Sequence, residues 1–178
     1  MLDVGGGSTE LITAASRTSL DLGSVRLTER FLHSDPPTAE ELEACAQAIR
    51  EELPELEPTE AIGVAGTITT LAALDLGLDE YDPERVHGHE LSREAVETQL
   101  DRLASLPLAE RRELPALEPE RAPVIVAGAV IVNEVLRRYG LGTLEASERD
   151  ILHGAALEAA ALPPVEEGDA PPGAHTCC

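Results

Sequence analysis

The sequence predicts an α/β domain with five strands, and three observations carry that reading. Residues 1–14 place apolar stretches on either side of three glycines, with a further extended piece at 18–26, the pattern of an antiparallel meander joined by short turns. Two more short strand-like runs stand at 61–65 and 143–146. Segments of helical periodicity separate these runs, so strands and helices share one core.

Taken in order, Met1 to Val4 forms the first strand, shorter than the usual five or six residues, which points to sequence upstream of it. The strand after Gly5-Gly6-Gly7 and the strand at 18–26 complete the meander. Leu27, Phe31 and Leu32 recur at helical spacing, which predicts a short helix over about 25–33. Pro36-Pro37 ends it. Thr38 followed by Glu41 makes a capping box before Leu42, Cys45, Ala46, Ile49 and Leu53, an amphipathic helix with a solvated acidic face. Residues 61–65 form a buried strand that runs into a helix at Gly66. Residues 75–91 are a connection, Ser92 caps a helix through Val96, Leu100 and Leu103, and Pro107 opens a shorter one ending near Leu114-Pro115. The most apolar stretch, 124–132, is rich in β-branched residues, but its length through Leu136 and the stop at Gly140 predict a buried helix. Ala127-Gly128-Ala129 within it would admit close approach of a neighbouring backbone. Residues 143–146 are the fifth strand, and Ser147 with Asp150 three residues on opens a last helix to about residue 161. Residues 1–162 therefore make one domain, and 163–178, dominated by proline, glycine and acidic residues, a disordered tail.

Two turns carry candidate chemistry. Three glycines inside a strand pattern belong where the backbone takes positive φ or another group comes very close. Amides of Gly5, Gly6 and Gly7 can converge on phosphate oxygens, Ser8 and Thr9 add hydroxyl donors, and Asp3 and Glu10 can hold a divalent cation against the same phosphate. The plain alternative is a tight hairpin with a polar tip. Gly66 and Thr67 follow a strand and open a helix, so unpaired amides there could meet an anion, or Thr67 could simply cap the helix. His87-Gly88-His89 in an extended backbone would put two imidazoles on one face, as a partial metal site or as a plain strand or loop edge.

Composition excludes several classes of partner. The formal net charge is −21, and all thirteen basic residues are arginine. Nucleic acid and anionic membranes are polyanions normally met with clustered basic residues, so neither is an expected partner. A polyanionic substrate would be held by local contacts against a repulsive long-range field that salt screens. Aromatic residues make up 2% of the chain, leaving little to stack on nucleobases. No basic, apolar leader pattern, membrane-length apolar run, disulfide framework or zinc spacing occurs, which is the expectation for a soluble cytoplasmic protein.

The blocks Asp3-Val4-Gly5-Gly6-Gly7-Ser8-Thr9-Glu10, Leu22-Gly23-Ser24-Val25-Arg26-Leu27, Gly66-Thr67-Ile68-Thr69-Thr70-Leu71-Ala72, Val126-Ala127-Gly128-Ala129 and Ser147-Glu148-Arg149-Asp150 together resemble, in order, the C-terminal half of the exopolyphosphatase and guanosine pentaphosphate phosphohydrolase family. The resemblance implies the second of two actin-like (ribonuclease H-like) domains, a five-stranded mixed sheet with helices on both faces, facing a first domain across a cleft. It implies hydrolysis of a terminal phosphoanhydride of polyphosphate or a guanosine polyphosphate, with Mg2+ as cofactor. Asp3 and Glu10 would be the catalytic, metal-holding acids, and Gly5, Gly6, Gly7 and Ser8 would line the phosphate loop. Thr9, Gly66 and Thr67 complete the phosphate-binding set. The family's other phosphate loop and its catalytic base glutamate belong upstream of Met1, so this chain is expected to be nearly inactive alone and to pair with a first domain or with itself as a homodimer. Pro123 stands where the family usually has an acid, and no lysine is present to contact substrate, a role that falls to Arg26. Two other functions fit the same residues: a non-catalytic phosphate-binding or assembly module, and the ATP-binding half of an actin-like kinase, which would need an adenosine pocket near Gly66 to Leu71.

Overall fold

A computed structural model describes residues 1–150 together with Gly154, Ala156, Glu158 and Ala160. The meander forms as expected: β1 (Leu2–Val4), β2 (Thr9–Ile12) and β3 (Arg17–Leu20) pair antiparallel, with Leu2 opposite Leu11, Asp3 opposite Glu10 and Glu10 opposite Ser19. Side chains alternate between sheet faces, so Leu2, Val4, Thr9 and Leu11 turn into the core together while Asp3 and Glu10 share the other face.

The third strand stops at Leu20, earlier than predicted, because α1 (Ser24–Phe31) begins just beyond it. Gly23 has extended backbone at its N-cap and presses on the glycine turn: a Cβ there would lie 2.1 Å from the Gly6 carbonyl oxygen. Next, α2 (Ala39–Glu52) carries the predicted capping box, with Thr38 Oγ1 accepting from the Glu41 amide and the Glu41 carboxylate accepting from the Thr38 amide. Its Cys45, Ala46 and Ile49 are buried.

The strand β4 (Ile62–Val64) lies parallel to β1 and leads into α3 (Gly66–Asp75). The connection beyond contains a single-turn helix, α4 (Pro83–Val86), and a strand, β5 (Glu90–Ser92). Ser92 caps α5 (Arg93–Ser105) through the Ala95 amide, as its sequence predicts, and α6 (Leu108–Arg111) follows Pro107. The apolar segment is indeed a helix, α7 (Ile125–Arg138), buried from Ile125 through Leu136 and packed against α1, α2, α3 and α5. Its Gly128 permits the expected close approach, since a Cβ there would sit 2.6 Å from Thr67 Cγ2 on α3.

With β6 (Thr143–Ala146) the sheet order is β3-β2-β1-β4-β6-β5, and both parallel pairs involve β4. Among the described residues the sheet thus has six strands where the sequence predicts five. The added strand is the three-residue β5, antiparallel to β6 at the edge, with Leu91 its one fully buried residue. Three residues are too few to display a period, and its partner β6 lies some fifty positions later.

The last helix does not start at Ser147. Residues 147–150 are non-helical, Ser147 Oγ accepts from the Arg149 amide in a local turn, and the Gly154 amide donates to the Asp150 carbonyl. Helical backbone is present at Gly154, Ala156, Glu158 and Ala160. The predicted tail, 163–178, lies outside the described residues, as does most of the predicted last helix beyond residue 150.

Candidate active site

Glycine at 5 to 7 is not there for positive φ, because none of the three adopts it. At Gly5 a Cβ would come 3.2 Å from the Ser8 carbonyl oxygen, and at Gly6 3.1 Å from Val25 Cγ2, whereas at Gly7 nothing stands within 4 Å. The loop is tied down through its carbonyls. Gly5 O accepts from the Ser24 amide, Gly6 O from the amides of Val25 and Arg26, and Gly7 O from Arg26 Nε at 3.1 Å. The first amides of α1, which would otherwise face solvent, are spent on the loop. The amides of Gly6 and Gly7 keep no backbone partner among the described residues.

Asp3 and Glu10 stand directly opposite each other on the face away from the core, with Cβ atoms of such pairs about 5 Å apart. Burial raises the Asp3 carboxyl above its ordinary range, and the negative charges of Glu10 and Asp150 add to the shift. Glu10 is braced: its Oε1 accepts from Ser8 Oγ and Ser19 Oγ, each at 2.7 Å. Among the described residues no three His, Cys, Asp or Glu side chains are close enough to enclose a metal. A hard-oxygen pair of carboxylates, one raised by burial and by neighbouring negative charge, fits Mg2+, which keeps several waters and uses one or two carboxylates beside substrate oxygens.

The second turn meets the first in space. Gly5, Gly6, Ala65, Gly66 and Thr67 line one cleft of about 200 Å3, closed by Arg121 and the start of α7. Ala65, the N-cap of α3, has φ 70° and ψ 166°, a conformation almost confined to glycine, and the first turn of α3 carries neither a side-chain cap nor an acid. The Ile68 and Thr69 amides bond back to Ala65 O, and those of Gly66 and Thr67 have no backbone partner among the described residues. An adjoining cleft of about 270 Å3 shares Ala65, Gly66 and Arg121 and adds Thr69, Tyr81, Glu148 and Asp150. There the Tyr81 hydroxyl donates to Glu148, and burial together with that bond pushes the phenol up to about 12.

Of the predicted site residues, the structure brings Gly5, Gly6, Gly66 and Thr67 to one cleft and pairs Asp3 with Glu10 beside the same loop. Three readings change. Thr9 is fully buried on the core face and donates its hydroxyl to the Leu22 carbonyl, because strand alternation turns position 9 away from Glu10. Thr67 lines the cleft but does not cap α3 with its side chain, which packs on Gly128. Arg26 is exposed, bonded to the loop carbonyl and to Asp21 at 3.5 Å, and does not line the cleft. The arginine that does is Arg121, braced by Glu118 and lying over Gly66, where a Cβ would stand 1.2 Å from its Nη1. Arg121 and Tyr81 escaped the sequence reading, since neither lies in a glycine motif; an arginine at the mouth of the most apolar helix was the available signal. Among the described residues the histidines join no cluster of three possible metal ligands: Gly88 at φ 82° turns the chain between them, and His89 Nε2 lies 2.7 Å from Asp75 Oδ2.

An antiparallel meander continued by parallel strands, with a glycine loop and a helix N-terminus on one cleft, defines an actin-like α/β domain. The chain belongs to the Ppx/GppA phosphatase family, whose sequence profile matches residues 1–161. Exopolyphosphatase 2 of Mycobacterium tuberculosis is 39% identical over 175 residues, covering 90% of this chain and 55% of that protein. A bifunctional 3-dehydroquinate synthase/phosphatase of Fusobacterium nucleatum is 33% identical over 171 residues, 89% of this chain and 26% of that one. Among solved structures, the Ppx/GppA enzyme of Aquifex aeolicus superposes with a TM-score of 0.84 at 34% identity, over 88% of this chain and 55% of that one. The chain spans about half the length of the exopolyphosphatase it matches.

Proposed function

We propose that this chain forms one wall of an exopolyphosphatase-type site that removes terminal phosphate from inorganic polyphosphate in the presence of Mg2+. One observation carries the reading: two phosphate-type turns separated by some sixty residues line a single cleft, and the carboxylate pair Asp3 and Glu10 flanks one of them. Amides of Gly6 and Gly7 on one side, and of Gly66 and Thr67 with Arg121 on the other, hold successive phosphates and neutralise the oxygen charge that grows as the anhydride breaks. Asp3 and Glu10 would hold the cation, which supplies Lewis-acid stabilisation of phosphoryl oxygens. The base that takes the proton of the attacking water is assigned to a facing domain, since Glu10 is engaged by two serines and Asp3 serves the cation. Polyphosphate is favoured over guanosine polyphosphate by the relatives named exopolyphosphatase and by the scarcity of aromatic side chains for a base.

Calorimetry with tripolyphosphate and Mg2+, alongside a phosphate-release assay, tests this. The expected result is Mg2+-dependent binding that Asp3→Ala weakens at least tenfold, with little phosphate released by the chain alone. Absence of binding would overturn the site, and Mg2+-dependent hydrolysis by the chain alone would overturn the assignment of the base to a facing domain.

A further inference from the structure

We propose that Ser19, on the edge strand β3, is a positioning residue that acts with Ser8 to fix the Glu10 carboxylate for cation binding. The inference rests on the cation reading above. Register places the three groups in a row: Ser19 is the cross-strand partner of Glu10, which is the cross-strand partner of Asp3, so all lie on the same face of the sheet. Ser8 reaches the same oxygen from the end of the glycine loop. Both hydroxyls converge on Glu10 Oε1 at 2.7 Å, whereas Oε2 has no hydrogen bond among the described residues.

The division between the two oxygens is the point. A glutamate on a partly exposed sheet face would otherwise sample several rotamers, and a metal would have to order it. Two hydrogen bonds to an ionised oxygen hold that oxygen still and leave the other to meet a cation or one of its waters. A hydroxyl on a short side chain is what the 2.7 Å geometry needs. Alanine at 19 removes the donor, while threonine keeps it on a residue that strands favour. A bond that merely pinned the edge strand would change stability and leave cation affinity alone.

The experiment uses the full 178-residue chain and Mn2+ as the probe, with free and bound ion separated by electron paramagnetic resonance and unfolding followed in parallel. Wild type binds Mn2+ and Asp3→Ala does not. Ser19→Ala weakens binding about tenfold, the scale of lost outer-sphere partners, without loss of the folded transition, and Ser19→Thr returns it to within about twofold of wild type. Wild-type affinity in Ser19→Ala, with binding still lost in Asp3→Ala, would overturn the role of Ser19 and leave the cation site standing. Equal weakening in Ser19→Ala and Ser19→Thr would show that the hydroxyl is not responsible. Failure of the wild-type chain to bind Mn2+ would overturn the cation site and the inference with it.

Discussion

The two turns that meet in the cleft reach similar ends by opposite means. The first has three glycines and no positive φ, and it is rigid because α1 donates its leading amides to the loop carbonyls. The second has a single glycine, Gly66, and places an alanine, Ala65, at φ 70°. In the first, the loop's own amides are left over because a helix N-terminus has been consumed. In the second, the helix N-terminus itself is left over because neither a cap nor an acid takes its amides. A count of glycines therefore locates close approach at one turn and misses backbone strain at the other.

Breaking the first turn should have the largest effect, and at a residue outside the triplet. Gly23→Ala would drive a methyl group into the Gly6 and Gly7 backbone, at 2.1 Å from one oxygen and 2.3 Å from a carbonyl carbon, neither of which can rotate away. Urea unfolding should show a loss of about 3 kcal/mol, the upper range for overpacking. Ala65→Gly should act in the other direction. Relief of the positive φ exceeds the added chain entropy of glycine, and a gain of about 1 kcal/mol is expected in the same assay. A loss would mean that Ala65 is not strained. The smallest stability effect belongs to Gly7→Ala, within about 0.5 kcal/mol of wild type, because its Cβ meets nothing within 4 Å and its φ is not positive. Titration with tripolyphosphate should nevertheless show weaker binding, since the methyl group would stand on the open side of the loop. Unchanged affinity would return Gly7 to an ordinary turn residue.

Much of the fold was legible because it is encoded locally. The capping box at Thr38 and Glu41, the cap at Ser92, the meander around the glycines and the buried helix over Ile125–Arg138 each rest on contacts or periods within a few residues. The glycine block and the Asp3–Glu10 pair were legible for the same reason, one hairpin holding both. What escaped has its partner far away in sequence. The edge strand β5 exists through β6, Arg121 matters through Gly66, and Tyr81 through Glu148. Thr9 shows the limit from the other side: its residue type suits phosphate, but strand alternation seats it under Leu22.

The sequence by itself determined the family, the element types and which carboxylates stand beside which glycines, because propensity, capping and hairpin register act over short separations. Only the tertiary structure decided which glycines are sterically required, which hydroxyls turn into the core and which arginine enters the cleft. Those properties depend on the packing of α1 against the first turn and of α7 against the second, and no period or motif within either segment carries that information.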